Sequence, residues 1–123
     1  KTKILIDEIN EAVNASNGNI ATVEKGSTIR YSISRKVRWC DTEQFAIDSF
    51  DAFYGFVAGM LAGNYDIKEI YVDSILKIAG ADFEALGRTL EKLDKLTGDD
   101  STVTFTVSAD AAELPASVTK FVD

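Results

Sequence analysis

The sequence predicts an α+β domain: a small antiparallel sheet, made of a hairpin over residues 19–39 and a strand over 102–108, packed against a buried central helix at about 42–62. Two helices are expected to follow that central helix and one to precede the hairpin. Three observations support this reading. Residues 41–63 carry helix start and stop signals around an uncharged stretch, residues 27–39 and 102–108 alternate apolar with polar side chains, and residues 3–14 and 66–98 repeat apolar residues at helical spacing. All of it fits one domain spanning residues 1–123.

From the N-terminus, residues 3–14 set Leu5, Ile9, Ala12 and Val13 on one helical face and Asp7, Glu8 and Glu11 on the other. This is a surface helix over the core. The turn-rich run at 14–18 ends it, so a strand is expected from Asn19. Residues 19–25 and 27–39 then read as a hairpin about Lys25 and Gly26. In its second strand Ile29, Tyr31, Ile33, Val37 and Trp39 share the odd face, which Arg35 interrupts, through either a bulge near 34–36 or an arginine reaching past the sheet edge to a carboxylate. Arg30, Ser32, Ser34, Lys36 and Arg38 line the even, polar face.

The central helix starts from a capping-box signal, Asp41 with Gln44, and stops at Gly63 and Asn64. Between Ala52 and Ala62 it has no charge, which places that half inside the fold. One arc holds Phe50, Phe53, Tyr54, Val57, Met60 and Leu61; the other holds Gln44, Asp48, Asp51, Gly55, Gly59 and Ala62. Two interior glycines cost about 2 kcal/mol against alanine, so Gly55 and Gly59 imply the close approach of another backbone. That neighbour is either a helix of the same monomer or the same face of a second copy. The uncharged run is too short, and too close to Asp48 and Asp51, for a membrane span.

After it, Asp66 with Glu69 repeats the start signal for a helix through Ile67, Ile70, Tyr71, Ile75, Ile78 and Ala79 that stops at Gly80. Asp82 opens another with Phe83, Leu86, Leu90, Leu93 and Leu96 as its seam, either core or a dimer contact. Residues 102–108 alternate Val103, Phe105 and Val107 with threonines as a half-buried strand. Residues 115–122 fit a short helix led by Pro115 or, over 117–122, an edge strand.

Composition excludes several chemistries. There is no histidine and a single cysteine, Cys40, so zinc centres, disulfides and histidine-based triads are out, and no cofactor or metal is expected. The lone thiol leans toward a reducing, cytoplasmic compartment. No targeting run opens the chain; because Met60 is its only methionine, the native start is expected to have been trimmed, processed or replaced. A net charge of −7 argues against general nucleic-acid binding. That charge is segregated: Lys25, Arg30, Arg35, Lys36 and Arg38 gather five of the 13 cations in residues 25–39, leaving eight against 20 acids elsewhere.

Two sets of candidate functional residues result. Arg30, Lys36 and Arg38, with Tyr31 and Trp39 for stacking, suit an anionic small molecule such as a nucleotide, or else form a solvated outer face. Gly55 and Gly59, with Asp48 and Asp51, suit a subunit interface. The two aspartates alone do not specify a catalytic or metal pair, since acids early in a helix are expected from its dipole. The leading expectation is therefore not an enzyme but a self-associating interaction protein, a dimer that also binds a protein partner as an adaptor, inhibitor or assembly factor. The alternative is a binding protein for an anionic small molecule held by residues 28–39.

Overall fold

The computed structural model describes residues 2–15, 19–64 and 66–122. Part of the turn expected at 14–18, and Tyr65, lie outside them. At the centre is a four-stranded sheet in the order β2-β1-β3-β4, with β1 Asn19–Glu24, β2 Arg38–Asp41, β3 Ile67–Val72 and β4 Thr102–Phe105. The helices are α1 Thr2–Ala15, α2 Phe50–Gly63, α3 Ile75–Ala79, α4 Phe83–Thr97 and α5 Ala116–Thr119.

The mixture of helices with one sheet is as expected, but the antiparallel sheet is not: every pairing is parallel. No hairpin spans 19–39. Residues 25–37 instead form a crossover containing a 3-10 turn at Arg30–Ser32, and β2 returns alongside β1 in the same direction. A parallel partner needs such a connection, which must cover one face of the sheet. Ile29, Ile33 and Val37 do this, buried with Leu5 and Ile9 of α1, Ile20 of β1 and Tyr71 of β3. The opposite face carries Ala21, Val23, Ile70 and Val72 beneath Phe53 and Val57 of α2, Ile75 and Ile78 of α3, and Leu86 and Leu93 of α4. The step from β1 to β2 runs one way along the sheet and the steps to β3 and β4 run the other. Connections of one hand then fall on opposite faces, as they do here.

This arrangement removes the helix from the middle. α2 begins at Phe50, capped by Ser49, whose hydroxyl accepts from the Ala52 N–H at 3.1 Å. Asp41 caps only a 3-10 turn, Thr42–Phe45, which ends in left-handed Ala46 (φ 55°). Only Phe50, Phe53 and Val57 of α2 are buried, so the helix lies over the sheet with its other side in solvent. The segment 66–72 is the second correction. Ile67, Ile70, Tyr71 and Val72 form a strand buried on both faces, and Asp66 turns to Asn19 and to Arg38 rather than capping a helix. The tail resolves as helix α5 with Pro115 as its cap. Among the described residues no helix is long and apolar enough to cross a membrane.

Candidate functional site

The crossover between β1 and β2 is organised by Glu24, the last residue of β1 and only 2% exposed. Its carboxylate accepts from the N–H groups of Thr28 (3.0 Å) and Ile29 (3.1 Å) and from the Trp39 indole (2.8 Å). A buried carboxylate must have such partners to be tolerated at all. Two further clasps hold the loop. Asn10 of α1 donates to the Ser32 carbonyl and accepts from the Ser34 N–H, both at 3.0 Å, and Asp41 accepts from the Gly26 N–H at 2.8 Å, where φ is 91°.

On this frame the guanidinium of Arg30 lies 4.5 Å from the Trp39 ring centre and 5.4 Å from that of Tyr31. Such contacts add about 0.5–1 kcal/mol each at exposed sites, enough to bias the arginine toward one pose. Arg30, Tyr31, Ser34, Arg35 and Trp39 border a shallow depression of about 400 Å³. Tyr31 stands out at 85% exposed.

Of the residues expected to bind an anion, the structure thus unites Arg30, Tyr31 and Trp39, though not on a strand. Trp39 cannot present an open face where Arg30 covers it. Arg38 is turned away and occupied, with Asn64 at 2.7 Å and Asp66 at 3.6 Å. Lys36 is exposed and outside the depression. Glu24, Asn10 and Arg35 are members that the sequence reading did not place. Arg35 was visible as the residue that broke the odd-numbered apolar face, and Glu24 as an acid ending an otherwise uncharged run, NIATVE.

The second set lies on α2. Asp48 precedes the helix, so it and Asp51 are not a pair on one helical face; both are exposed. Among the described residues no cluster of three or more metal-ligating side chains occurs. Gly55, Gly59 and Gly63 point outward, and a Cβ added at any of them would meet nothing within 4 Å among the described residues. Packing of this stripe against another helix of the same monomer is therefore ruled out. Beside it Phe45, 60% exposed, stacks on Phe56 with ring centres 6.3 Å apart. Cys40 sits half-buried on β2, and burial raises its thiol pKa above 9.0, so it is a poor nucleophile.

Comparisons with protein-family models, with curated proteins and with solved structures find no match.

Proposed function

We propose that this protein is a non-catalytic interaction module that self-associates through the outer face of α2 and acts by binding other proteins, as an adaptor, inhibitor or assembly factor. One observation carries the reading: α2 has no charge after Asp51, yet it turns Gly55, Gly59 and Ala62 to solvent with nothing among the described residues against the glycines. A surface helix normally shows a charged outer face. Glycine there sacrifices helix stability unless a second backbone comes close, and exposed Phe45 on Phe56 extends the apolar surface beyond the stripe. The single cysteine, Cys40, is free and half-buried, which is compatible with a reducing, cytoplasmic setting.

Mass in solution tests this. The wild-type chain should exceed its monomer mass of 13.4 kDa as concentration rises, and Gly59→Lys should return it to monomer with an unchanged circular dichroism spectrum. A wild-type monomer at every concentration would refute self-association.

A second reading rests on Arg30, which lies over Trp39, is exposed and makes no hydrogen bond or ion pair among the described residues, so that its guanidinium suits a carboxylate or phosphate. In that case an anionic small molecule is the ligand. Arg30→Ser with Arg35→Ser should then abolish any thermal shift given by nucleotides, and no shift across an anion panel would dismiss it.

A further inference from the structure

The two edges of the sheet differ. β2 adjoins the basic crossover, whereas β4 is bordered by an open groove of about 1100 Å³ that runs past both of its faces. The Thr106 N–H donates to the Val72 carbonyl at 3.0 Å, and its own carbonyl accepts from the Ile75 N–H at 3.2 Å, so Thr106 directs both backbone groups at the β3 side. By the two-residue period of a strand Thr102 and Thr104 do the same, and Val103 and Phe105 turn theirs outward. Neither lysine nor proline, the usual guards of a free edge, occurs in residues 101–108.

The groove is apolar on the α4 side of that edge and mixed on the α1 side, where Thr102, Thr104 and Glu8 line it together with Ile4. Phe105, Leu90 and Val122 line it from the side of α4 and the tail, and Ile4, 64% exposed, lines it from α1. Its charged lining residues are Glu8 and Asp94, both acidic. Asp99, Asp100, Asp110 and Glu113 flank β4 in the chain and are exposed.

We infer that the β4 edge is a docking site for an extended, cationic segment of a partner protein, which adds a fifth strand by bonding to Val103 and Phe105. Alternate side chains of such a strand fall to opposite faces: apolar ones meet Phe105, Leu90 and Val122 on the α4 side, and lysine or arginine falls to the α1 side, where Glu8 lies. The site is separate from the α2 face and does not depend on self-association.

The probe is a labelled synthetic peptide alternating arginine with valine, followed by fluorescence anisotropy on the full chain. It should bind, and more weakly as salt rises. The same peptide with glutamate for arginine, or with alternate valines changed to proline, should not. Val103→Pro deletes an outward N–H without touching the ladder to β3, and should weaken binding at least about tenfold while the wild-type spectrum is kept. Should that variant misfold, Glu8→Lys with Asp94→Lys, both at exposed positions, should weaken the arginine peptide by a similar factor and improve the glutamate one. Equal binding of the two peptides, undiminished binding by both variants, or no binding at all would overturn the inference. So would oligomerisation of the peptide-free protein that Val103→Pro abolishes, because the edge would then belong to a second copy.

Discussion

Replacing Gly55 and Gly59 with alanine should raise the stability of this protein, and by an amount that can be worked out in advance. Alanine is favoured over glycine inside a helix by about 0.8–1 kcal/mol per site, provided that the new methyl group displaces nothing. At both positions it meets no atom within 4 Å. The double variant should therefore gain close to 2 kcal/mol. For 123 residues the entropy of unfolding is about 0.26 kcal/mol/K, so the midpoint of thermal unfolding should rise by about 8 °C. The melt is followed by circular dichroism at a concentration where the mass is that of a monomer. At higher concentration the wild type should gain stability from association and the double variant should gain less, since added methyls hold the second helix away. A lower midpoint for the variant in the monomeric regime would refute the outward orientation of the stripe, and with it the proposed interface.

The same substitution at Gly87 should have the opposite sign. There a Cβ would lie 2.4 Å from Oγ and 2.9 Å from Cβ of Ser117, so Gly87→Ala forces α4 and α5 apart, should cost about 1–3 kcal/mol and should be largely rescued by Ser117→Gly in thermal melts. Glu24→Ala leaves two N–H groups and the Trp39 indole without their acceptor; a loss of about 1–3 kcal/mol is expected, with a shift in tryptophan emission, and an unchanged melt would contradict the role given to Glu24. Tyr71 holds its phenol pKa above the ordinary value of 10.0, first through burial, then through its hydrogen bond to Glu69 and the charges of Glu69 and Glu8. The unfolded chain therefore loses this proton first, so the stabilisation is complete below about pH 10 and fades as pH climbs beyond it. Tyr71→Phe should show a shallower alkaline decline in urea midpoints; an identical slope would remove Tyr71 as its cause.

Helix α4 was legible because Leu86, Leu90 and Leu93 keep one face, which exposed Leu96 no longer shares, and Asp82 caps it, its side chain accepting from the Ala85 N–H at 3.1 Å. α1 and the position of β4 were legible for the same local reasons. Strand direction was not, since alternation within Thr102–Phe105 is the same whichever way a neighbour runs. In the crossover, Ile29, Ile33 and Val37 share odd numbers with Tyr31 and so imitate one strand face, but their spacing is four, and the exposed positions of Tyr31 and Arg35 fall between them. β3 failed for a different reason. A strand buried on both faces has no alternation to show, and a preceding acid resembled a helix cap. Among site residues, Arg30, Tyr31 and Trp39 could be nominated from their types, but the stack that unites them depends on Glu24, which no local pattern connects to Trp39.

The order of the strands also bears on how the chain emerges from a ribosome. β1 acquires its second neighbour only when residues 67–72 have been made, and Ala21 and Val23 stay without the cover of α4 until still later. A nascent chain that stops short of β3 carries β1 with β2 as its one neighbour and an apolar α2 that lacks Ile70 and Val72 beneath it.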